Sequence, residues 1–194
     1  MLYGFARSLA KTSEFPYQWS KPIMFTAGLG FVRESHLKKQ TPTPGDLICK
    51  VGGPVYRIGL GGGSASSSSS QASLDTSAVQ REDPQMEQKM NRVIQACLEH
   101  IPNPIKTIHD QGAGGNANVL KEIIETTGGI IHLDRLTLGD ETLTPLEMWI
   151  AEYQESNAFV ISPDSLEWVQ NIAKIENVGL DVVGTVTSDK TVTV

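Results

Sequence analysis

Residues Ile108 to Asn116 read Ile-His-Asp-Gln-Gly-Ala-Gly-Gly-Asn, a histidine and a carboxylate followed at once by a glycine-rich turn. A short apolar run, Ile105 to Ile108, delivers His109 and Asp110 to that turn, and a helical pattern runs from Asn116 to about Thr126. A strand, glycine turn and helix in that order aim unsatisfied backbone N–H groups, and the positive end of the helix dipole, at an anion. Asp110, at the strand end, is placed to hold a hard cation such as Mg²⁺, which favours carboxylate and phosphate oxygens together. The spacing is neither the dinucleotide G-x-G-x-x-G fingerprint nor the G-x-x-x-x-G-K-[ST] loop. A tight connection without a ligand explains the glycines equally well, and at this level both readings stand.

Three other places carry candidate chemistry. Arg57 interrupts the apolar run Val55 to Leu60 just before Gly61-Gly62-Gly63, as an exposed strand residue or as a guanidinium contact to phosphate. Glu147, Glu152 and Glu155 form a carboxylate cluster that is either a solvated helix face or, around Glu152-Tyr153-Gln154, a ligand-facing junction between helix and strand. Gln80 lies at the closing edge of a low-complexity Gly/Ser segment, 61–77, which reads as a linker or as a lid that orders on a ligand.

The elements that must position these groups are legible in part. Asp83-Pro84 is an N-cap followed by proline at the first helical position. Met86, Met90, Val93, Ile94, Cys97, Leu98 and Ile101 then recur on one apolar face until Pro102. Val119, Leu120, Ile123 and Ile124 form the inner side of the next helix. Thr144 and Glu147 make a capping box for a helix carrying Leu146, Trp149, Ile150 and Tyr153. Ser162-Pro163 starts a last helix with Leu166, Val169, Ile172 and Ala173 inward. Strands are expected at Lys21 to Gly28, Asp46 to Val51, Val55 to Leu60, Ile130 to Leu133, Ala158 to Ile161, Val182 to Thr187 and Thr191 to Val194. The runs at 46–60 and 182–194 suggest antiparallel hairpins. The fold class is α/β, an α+β sandwich with a mixed sheet and helices packed on one face.

Composition narrows the function classes. With net charge −6 and no basic block, nucleic acid is excluded as an expected partner. No apolar run approaches the roughly 18 residues of a membrane span. Cys49 and Cys97 sit in apolar patterns and read as buried reduced thiols, so a cytoplasmic setting is expected. The two chain ends read as cuts in a longer polypeptide, or as those of a naturally short protein with a tied-down terminal strand.

Several stretches together resemble one family. Lys21 to Gly30 (KPIMFTAGLG), Val51 to Ser66 (VGGPVYRIGLGGGSAS), Val79 to Met90 (VQREDPQMEQKM), Ile108 to Asn118 (IHDQGAGGNAN) and Glu147 to Asn157 (EMWIAEYQESN) are similar to the first synthetase half of phosphoribosylformylglycinamidine synthase in its large single-chain form. The match covers nearly the whole chain in order. The resemblance implies a fold like the C-terminal domain of aminoimidazole ribonucleotide synthase for residues 45–194, with 1–44 as the trailing part of a preceding N-terminal-type domain. It implies an ATP-dependent ligase of purine biosynthesis that turns formylglycinamide ribonucleotide into the amidine with glutamine-derived ammonia. The remaining synthetase and glutaminase domains would be partners.

By the same resemblance Asp110 matches the Mg²⁺ ligand, and Gln80, Glu152, Tyr153 and Gln154 match substrate-contacting positions. Arg57 and the glycine loop become phosphate contacts, and the backbone of Met24, Phe25 and Thr26 resembles an adenine-contacting segment at a second nucleotide site. Compact members have serine where Tyr153 stands, which favours a backbone contact there. The family's catalytic motif Glu-Ser-His-Asn-His-Pro is missing; Glu34-Ser35-His36 is followed by Leu37-Lys38 and is not assigned catalysis. Other ATP-using members of that superfamily, or a non-catalytic phosphate-binding module able to form a homodimer, are the competing expectations.

Overall fold

The computed structural model describes residues 2–9, 19–60, 83–112 and 114–194. The segment 61–77 and Gln80 lie outside the described residues. The chain divides into two units, 1–38 and 39–194.

In the first unit, β1 (Leu2–Leu9) pairs antiparallel with β2 (Trp19–Gly28), Phe5 opposite Phe25 and Gly4 opposite Thr26. Met24, Phe25 and Thr26 are thus consecutive rungs of a hairpin strand. Ladder alternation turns the N–H and C=O of neighbouring residues to opposite edges of that strand.

The second unit is built on a six-stranded sheet. Its strands are β3 (Leu47–Gly52), β4 (Ile105–Asp110), β5 (Gly129–Ile131), β6 (Ser156–Ile161), β7 (Gly179–Val186) and β8 (Val192–Thr193), in spatial order β4-β6-β3-β7-β5-β8. Every pairing is antiparallel except β5 with β8. The sheet is therefore mixed, as its residue pattern suggests. Neither suggested hairpin forms. β3 is flanked by β6 and β7, while Val55 makes a single parallel bridge to Leu138. β5 lies between β7 and β8.

The helices are α1 (Pro84–Glu99), α2 (Gly115–Glu122), α3 (Pro145–Ile150) and α4 (Leu166–Glu176). They cover both faces of the sheet, which corrects the expectation of a single helical layer. Ile48, Ala158, Val160 and Val183 pack with Val119 and Leu120 of α2 and with Met148 and Trp149 of α3. Cys49, Val51, Phe159 and Ile161 pack on the other face with Met90, Val93 and Cys97 of α1 and with Val169 and Ala173 of α4. The physical reason is visible in β3 and β6, whose apolar runs offer no polar face to water, the mark of a strand buried on both sides. Each large side chain so buried contributes about 1.5–3 kcal/mol. Both cysteines are free and buried, and burial pushes the Cys49 thiol up to about 12 and the Cys97 thiol to about 11. No helix among the described residues is long and apolar enough to cross a membrane.

Candidate functional site

The site forms where β4 ends beside the start of β6. Asp110 is the last residue of β4 and pairs in register with Asn157. The next residue, Gln111, is buried and clamps the neighbouring bend: its N–H donates to Ser156 O (3.1 Å) and its Nε2 to Ala151 O (2.9 Å). The Ser156 hydroxyl sits between Gln111 Oε1 and Tyr153 O, 3.0 Å from the latter.

These bonds explain why α3 stops at Ile150 and does not run on through Glu155 as the spacing of its glutamates suggests. Ala151 carries extended backbone angles, and the Glu152 N–H leaves the helical ladder to donate to Ile58 O (2.9 Å). The three glutamates therefore do not share a helix face. Glu147 closes the capping box with Thr144, whose N–H donates to it at 2.8 Å. Glu152 and Glu155 are only 2% and 4% exposed.

Glycine fixes the fit at two places. Gly115 has φ +59°, and a Cβ on it would stand 2.3 Å from Ala151 O. The helix start is thus packed directly against the carbonyls that end α3, and the Asn116 Nδ2 donates to Met148 O at 2.8 Å. This tight packing accounts for Gly115, whereas Gly112 faces open space. Gly53 carries the Tyr153 ring, since a Cβ there would meet Tyr153 Cε1 at 2.0 Å. Tyr153 also lies 5.4 Å from the Tyr56 ring, and its phenol is pushed up to about 12 by burial, then by Glu155, Asp83 and Tyr56.

A cavity of about 540 Å³ opens at this junction, with Asp110, Gln111, Gln154, Glu155 and Asn157 on one side and the first turns of α1, including Glu87 and Asn91, on the other. Two of the sequence-derived candidates, Asp110 and Gln154, thus meet in one cavity. The Asp110 side chain is 83% exposed, with His109 Nδ1 at 3.6 Å from its carboxylate. His109 Nδ1 lies 2.7 Å from the Asp110 carbonyl, and His109 Nε2 pairs with Glu122. Glu152 and Tyr153 lie behind the cavity. Glu152 Oε1 accepts from Gln154 Nε2, while its Oε2 has no partner among the described residues.

Arg57 is not part of this lining. Its guanidinium pairs with Glu147 and, at 3.4 Å, with Asp140, and donates to the Thr142 carbonyl and hydroxyl, both at 3.0 Å. Hydrogen bonds from Thr142 and then the Arg57 charge hold the Asp140 carboxyl below its usual range. Phe25 is exposed in β2, and Gln80 lies outside the described residues.

Sequence reasoning missed Gln111 and Asn157, and named Glu155 only as a member of the carboxylate cluster. A signal existed in the polar pair Ser156-Asn157 opening an apolar strand, and in the amide next to the Asp110 carboxylate. Among the described residues no three His, Cys, Asp or Glu side chains converge as a metal cage. The arrangement is an acceptor-rich pocket with one exposed carboxylate at its mouth.

A mixed sheet sandwiched by helix pairs, with its polar pocket at the β4–β6 end, has a known counterpart: the chain belongs to the family described as AIR synthase related protein, C-terminal domain, whose model matches residues 43–194. Its relatives include the phosphoribosylformylglycinamidine synthases of Homo sapiens, 50% identical over 98% of this chain, and of Dictyostelium discoideum, 46% identical over 97%. The chain spans about 15% of the length of these relatives. Among solved structures, T. maritima PurL complexed with FGAR matches with a TM-score of 0.70 and 30% identity, over 86% of this chain and 27% of that one. A HypE-HypF complex matches at 21% identity and a TM-score of 0.53, over 79% of this chain and 50% of that one, which shows the fold alone.

Proposed function

We propose that this chain is part of the synthetase region of a phosphoribosylformylglycinamidine synthase. That enzyme is an ATP-dependent carbon–nitrogen ligase of purine biosynthesis, converting formylglycinamide ribonucleotide to the amidine with ammonia released from glutamine by a glutaminase domain. Residues 45–194 are its C-terminal-type synthase domain and 1–44 the end of a preceding N-terminal-type domain. The observation that carries this reading is the convergence of Asp110 and Gln154 on one cavity, in a chain 50% identical to a synthase of that name.

The residues present fit a magnesium ion in one specific way. Mg²⁺ commonly takes one or two carboxylates and fills its other positions with water and phosphate oxygens. Asp110 supplies such a carboxylate, exposed at the cavity mouth and held by its place in the β4 ladder. When bound with ATP, the metal would spread the charge that develops as phosphate activates the amide oxygen. The chain's own residues orient the substrate. Gln154 presents its side chain to the cavity, Glu152 behind it holds the Gln154 amide, Tyr153 contributes backbone because its ring is fixed on Gly53, and Gln80 is a further substrate contact. The backbone of Met24, Phe25 and Thr26 meets adenine at a second nucleotide site. Arg57 would have to leave Glu147 and Asp140 to reach a phosphate, so we assign it to holding the start of α3.

The test is Asp110→Asn in an enzyme of the relatives' length that carries this segment. Loss of a charge-neutralising ligand should lower kcat/KM at least ~100-fold without changing Tm, because the side chain is exposed. A change of only a few-fold removes Asp110 from the site.

A further inference from the structure

Glu155 holds a carboxylate oxygen for which the described residues offer no donor. The residue is 4% exposed; its Oε1 accepts the Asp83 N–H at 3.3 Å, and its Oε2 has no hydrogen-bond partner among the described residues. A buried acceptor without a donor is costly, more so when it belongs to a charged group. Glu155 lines the Asp110 cavity, and its Oε2, covered in the empty site, would gain the missing donor from a cavity occupant that draws the carboxylate forward.

The character of the cavity says what kind of group that is. Its described lining carries the carboxylates of Glu87, Asp110 and Glu155 and the amides of Asn91, Gln111, Gln154 and Asn157, and among the described residues that line it there is no lysine, arginine or histidine. The start of α1 keeps three of its N–H groups for its own cap. Asp83 Oδ1 already accepts the Met86 N–H at 2.8 Å, the Glu87 N–H goes to the Asp83 carbonyl, and Glu155 takes the Asp83 N–H. A bare phosphate would face three carboxylates. A neutral group bearing N–H or O–H finds acceptors on every side.

We propose, building on the synthase reading above, that Glu155 is a specificity-determining residue: its Oε2 accepts a hydrogen bond from a neutral donor of the substrate, so the cavity seats the part of the ribonucleotide away from its phosphate. Two sources share this chemistry, the amide N–H groups of the formylglycinamide arm and the hydroxyls of the ribose. The orphaned oxygen explains why a carboxylate is kept here at all, since a glutamine would cap Asp83 N–H equally well through its carbonyl.

The experiment uses an enzyme of the relatives' length that carries this segment, with Glu155→Gln as the variant. The expected result is a rise of about 10- to 100-fold in KM for formylglycinamide ribonucleotide, the range for loss of one hydrogen bond to a charged group, with KM for ATP and the glutaminase rate unchanged. Substrate analogues identify the source. An analogue N-methylated on the amide, or one deoxygenated on the ribose, should lose a similar factor with wild type and lose little with Glu155→Gln. A KM within two-fold of wild type overturns the proposal, because the oxygen is then served by water only. Equal losses for every analogue in both enzymes overturn it as well. Should the variant fail to fold, wild type alone decides: if neither analogue is discriminated, Glu155 reads no donor. A wild-type enzyme that turns over the ribonucleotide and is crippled by Asp110→Asn, yet is indifferent to Glu155→Gln, sinks this inference and leaves the synthase reading standing. An enzyme that never accepts the ribonucleotide sinks the synthase reading itself.

Discussion

Lys50 sits in the middle of β3, 3% exposed, and its Nζ donates to Gly53 O at 2.8 Å. Burial pulls its pKa from 10.5 down to about 8, and the nearby Asp181 carboxylate opposes only part of that. Because the folded value lies below the unfolded one, the unfolded chain binds the proton more tightly between pH 8 and 10.5. Folding stability therefore rises with pH across that window, by about 3 kcal/mol in full, and the handicap is complete below pH 8. Lys50→Met removes the ionisable group while keeping most of the stem's packing. The variant should be more stable than wild type near pH 7.5 by about 1–3 kcal/mol, the lost bond to Gly53 offsetting part of the gain, and the gap should close by pH 10. Absolute stability is a poor readout, since Cys49 and Cys97 work in the opposite direction. Their raised folded pKa values give stability that is present below pH 9 and lost as pH rises toward 12 and 11. Wild type and variant share those thiols, so urea unfolding of the two at matched pH isolates the lysine. A stability difference that stays flat between pH 7.5 and 10 would refute the reasoning, because it would mean that Lys50 titrates as a hydrated lysine.

Further outcomes follow from the site. Gly115→Ala places a Cβ 2.3 Å from Ala151 O at a φ of +59°, and should cost more than ~2 kcal/mol by chemical denaturation; a loss under ~0.5 kcal/mol would mean the α2–α3 contact yields freely. Arg57→Met should lower Tm by only a few degrees, as partly exposed ion pairs are worth up to about 1 kcal/mol each, and should leave KM for the ribonucleotide within two-fold. A ten-fold rise in that KM would return Arg57 to the phosphate. The 194-residue chain by itself should show no amidine formation from formylglycinamide ribonucleotide, ATP and ammonia, and turnover by it alone would overturn the partial-chain reading.

What could be read without coordinates was local. Asp83 with Pro84 and Thr144 with Glu147 announce helix starts because capping needs only a few consecutive residues, and both caps are present. Met90, Val93 and Cys97 share a buried face because helical periodicity is a property of one segment. The sheet was less legible. The partners of β3 come from more than 100 residues downstream, and no local signal distinguishes them from Val55 to Leu60. The end of α3 escaped for a similar reason. Glu147, Ile150 and Tyr153 keep helical spacing, yet Ile58 and Gln111 compete for the backbone there, and both arrive from elsewhere in the chain. Asp110 and Gln154 could be named as candidates from their motifs, whereas the burial of Glu155 could not be read, since a carboxylate after an acidic helix reads as solvated until its surroundings are seen.

The pairing of Asp110 with Asn157 sets how this pocket can be remodelled. Both residues are rungs of one hydrogen-bonded ladder, braced further by Gln111, so that wall cannot widen without unzipping sheet. The opposite wall is a single helix face, where Glu87 and Asn91 bond to each other across one turn and to nothing in the ladder. Anyone wishing to admit a bulkier ligand should leave the strands untouched and trim positions 87 and 91, the adjustable jaw among the described residues.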